Sequence, residues 1–132
     1  MPGVLLDTHV FAWALLDSPR LTATARAAIL EADRVCISAV SFYQIGQKVR
    51  LGKWPEMAPH AAALPALARR QGAVPLPLSA EAATAAALLD WPHRDPFDRL
   101  IAAAAALEPL TLVSADAAFD TAPLAGLHRV WE

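Results

Sequence analysis

The chain has 132 residues, of which 56% are hydrophobic and 18% are charged, and its formal net charge is −2. This length suits one domain with its own core, and the apolar, weakly charged composition excludes an intrinsically disordered protein. The slightly acidic balance excludes an overall basic field, so any contact with nucleic acid has to be local.

The sequence predicts a cytoplasmic protein. Its longest uncharged stretches fall short of the roughly 20 apolar residues that a membrane-spanning helix needs. The N-terminal segment has no basic region before Val4 and reaches a carboxylate at Asp7, which is not typical of a signal peptide. Cys36 is the only cysteine, so an internal disulfide is excluded and a reducing compartment fits.

Short apolar runs, which predict buried strands, alternate with helical patterns along the chain. In order, we expect strand 4–6, helix 10–16, helix 22–32, strand 34–38, helix 40–51 ended by Gly52, helix 58–71, strand 73–74, helix 80–89, helix 96–107, strand 110–114 and strand 128–131. Pro75 and the chain end favour edge positions for the two short strands. This alternation predicts a single three-layer α/β domain over residues 1–132, with a central parallel sheet and helices on both faces.

Four aspartates fall at the junctions where a parallel sheet binds its ligands. Asp7 follows the first strand, Asp116 lies two residues beyond strand 110–114, and Asp95 and Asp98 open helix 96–107. Any one of them is explained as a helix cap, and for Asp95, which precedes Pro96, a cap and a site residue are equally good explanations. If the carboxylates converge, they repel one another unless a cation joins them, and such hard oxygen ligands select Mg²⁺ or Mn²⁺.

Four motifs in this order resemble a known family. They are Leu6-Asp7-Thr8-His9, Ser38-Ala39-Val40-Ser41 leading to Leu51-Gly52-Lys53, residues 94–102 (RDPFDRLIA), and Leu112-Val113-Ser114-Ala115-Asp116. Together they span nearly the whole chain and resemble PIN-domain ribonuclease toxins of the VapBC toxin-antitoxin type. The resemblance implies a PIN fold, an endoribonuclease that cuts RNA with Mg²⁺ or Mn²⁺, a cognate antitoxin that silences it, and a homodimer.

By position, the resemblance implies that Asp7, Asp98 and Asp116 hold the metal ion and that Asp95 is a further acid of the site. The sequence departs from the family at Gln44, where the family's pattern has a glutamate. A carboxamide is neutral, so it offers a carbonyl oxygen but neither neutralises a cation nor acts as a base. We expect weakened catalysis, and the alternative function is a catalytically silent PIN domain that acts as a binding module. The glutamine is either a natural variant that relies on Asp95 or a substitution introduced to permit production of a toxic protein.

Other polar and aromatic residues give weaker signals. The four histidines, His9, His60, His93 and His128, lack the spacing of a zinc site, so packing or solvation is the favoured role even for His9 and His93 beside the acids. Five cations are equally well explained as phosphate contacts or solvated helix ends: Lys48, Arg50, Lys53, Arg94 and Arg99. The aromatic residues Trp13, Phe42, Tyr43 and Trp54 favour a core over a base-stacking platform. For the antitoxin, we expect an apolar groove near residues 51–54.

Overall fold

The computed structural model describes residues 3–132 and contains five strands and six α-helices. Residues 1 and 2, which belong to the N-terminal segment discussed above, lie outside the described residues. The strands are β1 (Val4–Leu6), β2 (Val35–Ser38), β3 (Ala73–Leu76), β4 (Thr111–Val113) and β5 (Arg129–Val130). The helices are α1 (Thr8–Leu15), α2 (Ala23–Glu31), α3 (Ala39–Arg50), α4 (Leu64–Arg70), α5 (Ala80–Leu88) and α6 (Pro96–Leu107).

The five strands form one parallel sheet in the order β3-β2-β1-β4-β5. Leu5 of β1 lies in register with Cys36 of β2 on one side and with Leu112 of β4 on the other. The strand order therefore reverses at β1, and a ligand crevice is expected beyond the carboxyl ends of β1 and β4. The predicted parallel α/β class is confirmed, and both short strands occupy edges as expected.

Alternate residues of the central strands point to opposite faces, so the sheet has a core on each side. Val4 and Leu6 pack with α1, α2 and α4 in one cluster, whereas Leu5 packs with α5 and α6 in the other. All three residues are at most 3% exposed. Burial of both faces explains why these strands are continuous apolar runs in the sequence.

Side-chain caps fix where several helices begin. Thr22 and Ser79 accept hydrogen bonds from backbone N–H groups three residues later, at 3.1 Å and 3.0 Å, at the starts of α2 and α5. Gly52 ends α3 with φ at +73°, a left-handed conformation that side chains rarely adopt. These local signals account for the good agreement between predicted and observed helix positions.

Helix 58–71 was predicted as one element, and this is wrong. The structure has a 3₁₀ segment at Pro55–Ala63 followed by α4 at Leu64–Arg70. Pro59 lies inside the first segment and Pro65 in the first turn of α4, where neither can donate a backbone hydrogen bond. The strand predicted at 73–74 is also longer than expected, because an edge strand tolerates Pro75.

Between residues 3 and 132, none of the helices combines the length and the apolar character required to cross a membrane.

Candidate metal centre of the acidic cavity

One cavity at the carboxyl ends of the central strands brings together every predicted site residue. It encloses about 270 Å³, and its lining consists of Asp7, His9, Trp13, Gln44, Lys48, Asp95, Asp98, Ala115 and Asp116. These residues come from the loop after β1, from α1, from α3, from the start of α6 and from the loop after β4. Each aspartate taken alone resembles an ordinary helix cap, but together the four aspartates form a single acidic site.

Ser114 joins the loops that carry Asp7 and Asp116. Its hydroxyl donates a hydrogen bond of 2.7 Å to Oδ2 of Asp7 and accepts one of 3.0 Å from the backbone N–H of Asp116. The backbone N–H of Thr8 donates to the other oxygen of Asp7 at 2.8 Å. The Asp7 carboxylate, only 7% exposed, is therefore held in one orientation from both sides.

Asp98 has a partner that the sequence analysis did not assign to the site. Its Oδ2 lies 2.7 Å from Nε2 of His93, and the two side chains are 14% and 29% exposed. Ligand atoms of His93, Asp98 and Asp116 all lie within 4.8 Å of one another. This His-Asp-Asp group, which does not include Asp7, has the spacing of groups that hold a metal ion.

Asp95 acts as a helix cap in this structure. Its Oδ1 accepts a hydrogen bond of 2.9 Å from the backbone N–H of Phe97, and Pro96 occupies the first turn of α6. The cap explanation therefore holds for one oxygen of Asp95, while the residue as a whole still lines the acidic cavity.

Gln44 lines the same cavity, and its side-chain carbonyl oxygen is buried without a partner in the described part of the chain. The residue is 6% exposed, and its Oε1 has no hydrogen-bond partner among residues 3–132. A buried carbonyl oxygen without a partner costs free energy, and it marks a place where a ligand, ion or water is expected. Position 44 therefore lies on the lining of the acidic cavity, where a glutamate would add another carboxylate.

Three of the five candidate cations have different surroundings in the structure. Lys48 lines the acidic cavity, whereas Arg50 lines a different cavity with Tyr43. Arg99 instead donates hydrogen bonds to the backbone carbonyls of Ala86, Ala87, Leu89, Trp91 and His93 at 2.6–3.5 Å. A phosphate contact by Arg99 is therefore disfavoured, because its guanidinium is already occupied in holding the loop before α6.

The PIN domain sequence model matches residues 4–123. The chain belongs to the PIN domain family. It is 34% identical to ribonuclease VapC22 of Mycobacterium tuberculosis over 116 residues, which cover 88% of each protein. This similarity places our PIN domain in the VapC group that the four motifs indicated.

Solved structures confirm the PIN-like fold. A structure of VapBC2 from Rickettsia felis bound to a DNA fragment from its promoter matches with a TM-score of 0.69, 18% identity, and coverage of 98% of this chain and 99% of that chain. VapBC-5 from Mycobacterium tuberculosis, described as a member of the VapBC family of toxin-antitoxin systems, matches with a TM-score of 0.68, 22% identity, and full coverage of both chains.

Burial dominates the electrostatics of this PIN domain's acidic cavity. Desolvation raises the pKa of Asp98 to about 6, against the hydrogen bond from His93, and the nearby Asp7 and Asp95 raise it further. Desolvation also raises the pKa of Asp7, although the hydrogen bonds from Ser114 and Thr8 favour its charged form. The pKa of His9 is lowered by burial and by Lys48. The site therefore holds negative charge at a free-energy cost.

Three residues that the sequence did not assign to the acidic site, Trp91, His93 and Arg99, contribute through the loop that precedes α6. Trp91 in this loop donates from Nε1 to Thr121 at 3.0 Å, and its ring lies 4.8 Å from the ring of His93. Arg99 fixes the backbone of the same loop, and His93 then meets Asp98. A signal existed in the sequence, since His93 directly precedes the RDPFDR motif and Arg99 is its last residue, but no spacing reveals their partners, which are Asp98 and backbone carbonyls before α6.

One expectation about the aromatic residues is wrong. Tyr43 is 62% exposed rather than part of the core. Trp13 and Trp54 pack against the core cluster, yet both are half-buried and line cavities. Phe42 packs on the core as predicted.

Proposed function

We propose that this PIN domain is the toxin of a toxin-antitoxin pair and acts as an endoribonuclease that hydrolyses RNA phosphodiester bonds with Mg²⁺ or Mn²⁺. The observation that carries the proposal is the shared cavity of Asp7, Gln44, Asp95, Asp98 and Asp116. The name of the 34% identical relative, ribonuclease VapC22, supports the same chemistry.

The donor set of the cavity fits a divalent cation. Asp7, Asp98 and Asp116 offer hard carboxylate oxygens, and we propose that they hold the ion directly or through water. Asp7 lies outside the His93-Asp98-Asp116 group within 4.8 Å but lines the same cavity. The unpartnered Oε1 of Gln44 offers a further neutral oxygen in the same cavity. When bound, the ion polarises the phosphate and lowers the pKa of the attacking water.

The carboxylates, Ser114 and Lys48 have separate roles in the proposed reaction. The carboxylates orient the attacking water and accept its proton, and Ser114 keeps the Asp7 carboxylate in place through its 2.7 Å hydrogen bond. Lys48 supplies a positive charge on the cavity wall for the phosphate of the substrate. Hydrolysis by this route leaves a 3′-hydroxyl and a 5′-phosphate, as the family resemblance implies.

Gln44 gives a specific reason to keep a second function under test. A neutral side chain at a position that faces the acids weakens both metal binding and proton transfer. If the loss is complete, the chain is a silent PIN domain that binds RNA or a partner without cutting. We propose the active enzyme, weakened at position 44, because the three aspartates and the cavity are retained.

We also propose an antitoxin partner and a homodimer for a chain that works as a single PIN domain in the cytoplasm. The structural relatives named above are VapBC pairs, which supports an antitoxin. Leu51, at the end of α3, is 52% exposed and lies where we expect the apolar antitoxin segment. Leu88 on α5 is 79% exposed and Leu107 on α6 is 50% exposed, which supports a covered surface in a dimer. Light scattering of the purified chain, alone and with its antitoxin, measures both.

The decisive experiment compares RNA cleavage with and without a chelator. A structured RNA mixture is incubated with the parent chain, with Asp7→Ala and with Asp90→Ala, whose carboxylate is exposed and outside the cavity. We expect metal-dependent cleavage by the parent and by Asp90→Ala, and none by Asp7→Ala. RNA that is bound but never cut, at any concentration of Mg²⁺ or Mn²⁺, would establish the silent module instead.

A further inference from the structure

A second cavity lies beside the acidic one and shares Trp13 with it. It encloses about 380 Å³, near the lower end of the roughly 300–1,000 Å³ typical of ligand pockets. Its lining includes Trp13, Leu16, Pro19, Arg20, Trp54 and Glu56. Because Trp13 lines both cavities, the two spaces are adjacent, and a nucleotide next to a phosphate among the acids lies close to this second space.

Two tryptophan rings form an aromatic surface at this junction. The His9 ring lies between them, with its centroid 5.9 Å from that of Trp13 and 5.0 Å from that of Trp54. Both tryptophans are half-buried, so each ring is anchored in the protein and still presents area to the cavity. Anchored aromatic rings of this kind stack the bases of single-stranded nucleic acids.

Each tryptophan has a cation close to its ring. The Arg20 guanidinium carbon lies 6.0 Å from the centroid of Trp13, and Nζ of Lys48 lies 5.2 Å from that of Trp54. Lys48 also lines the acidic cavity, and Glu56 is the one carboxylate that lines the second cavity among the described residues. Aromatic faces bordered by cations match a nucleotide, whose planar base is flanked by negative phosphates.

We propose that the second cavity receives a nucleobase of single-stranded RNA next to the scissile phosphate. The base stacks on Trp54 or Trp13, and Arg20 and Lys48 contact the phosphates on either side. This inference rests on the proposed function, because RNA has to enter the acidic cavity first. A purely apolar peptide segment gains nothing from the two cations, so we assign this cavity to RNA and keep the exposed surface at Leu51 for the antitoxin segment.

The test measures RNA binding without cleavage. A fluorescent single-stranded oligoribonucleotide of mixed sequence is titrated with the full chain in EDTA, and anisotropy gives the Kd. Trp54→Leu and Arg20→Gln are compared with Tyr43→Leu and Arg50→Gln, an exposed aromatic and an exposed arginine that line another cavity. We expect Kd to rise about tenfold for each of the first pair and less than about twofold for the controls.

A second probe separates base stacking from phosphate contacts. An oligonucleotide of the same length with abasic sites keeps its phosphates, so it should bind Trp54→Leu and the parent equally, while Arg20→Gln still weakens binding. Thermal melting verifies that each variant folds. If Trp54→Leu does not fold, the Kd of Arg20→Gln tests the nucleobase site, because Arg20 is exposed and its replacement leaves the core intact.

The possible failures are distinguishable. Unchanged Kd for Trp54→Leu and Arg20→Gln, or an equal loss in the controls, overturns the nucleobase site and leaves the metal-dependent cleavage of the proposed function standing. A parent chain that neither binds nor cuts the RNA overturns both.

Discussion

Replacing Gln44 by glutamate tests whether position 44 lies within the electric field of the acidic site. The same cavity raises the pKa of Asp98 from 3.8 to about 6, which corresponds to a cost of about 3 kcal/mol for its charged form. Gln44 is 6% exposed and its Oε1 has no partner among the described residues, so a carboxylate there meets similar desolvation and the same like charges. We therefore expect Gln44→Glu to lower the free energy of unfolding of the metal-free protein by about 3 kcal/mol at pH 8.

The effect of Gln44→Glu on stability changes from unfavourable to favourable when metal is added. A further carboxylate in the cavity attracts a divalent cation, so Gln44→Glu should bind Mn²⁺ at least about tenfold more tightly and cut RNA faster than the parent. The loss of stability in EDTA should also fade as the pH falls, because a glutamate with a raised pKa becomes protonated and neutral.

The assay is urea unfolding at pH 8 and pH 5, in EDTA and in Mn²⁺, together with calorimetric metal titration and RNA cleavage. The matched control is Gln47→Glu, one helical turn further along α3 and outside the acidic cavity. If Gln44→Glu is as stable as the parent in EDTA and binds metal no better, position 44 lies outside the acidic site and our electrostatic reasoning is wrong.

Three further predictions follow from the hydrogen bonds and pKa values of the site. Because the folded Asp98 has a pKa of about 6, above the ordinary 3.8 of an aspartate, it gains a proton as the pH falls through 6. Mn²⁺ binding should therefore be about tenfold weaker at pH 5 than at pH 7, and calorimetry that shows no change would refute this. Arg99→Lys should lower the free energy of unfolding by about 3 kcal/mol, measured in urea, because an ammonium cannot serve the carbonyls that the guanidinium reaches; Arg94→Lys, at an exposed site, should change it little. Ser114→Ala removes the donor to Asp7, so stability should fall by about 1–2 kcal/mol and metal affinity should fall as well; an unchanged affinity would mean that the hydroxyl does not position the carboxylate.

The sequence was sufficient for the sheet and for the positions of the aspartates. The apolar run at β1 is buried on both faces, and Asp7 directly follows it, so the general rule for ligand sites of parallel sheets applies without further information. The pairing of β1 with β4 then brings the loops that carry Asp7 and Asp116 together.

The residues that the sequence could not assign depend on contacts across loops. His93 contacts Asp98 from a loop that Arg99 holds through a backbone carbonyl. Hydrogen bonds from a guanidinium to backbone carbonyls leave no periodic pattern in the sequence. Pro59, by contrast, is a local signal that was visible in the sequence. It disfavours an α-helix over residues 58–71, and the prediction gave more weight to the apolar helical pattern. Local sequence patterns therefore predicted the helices and strands, whereas the contacts within the acidic site depend on loops that are distant in the sequence.

The hydrogen bond between Ser114 and Asp7 joins residues that are 107 positions apart. β1 is synthesised before β4, but it lies at the centre of the sheet, and its second side is paired only after β4 has formed. Contacts of such long range form late in folding, because a long loop has to close before they contribute. A chain that has been synthesised only as far as α6 therefore lacks β4 and Asp116, and its acidic cavity is incomplete.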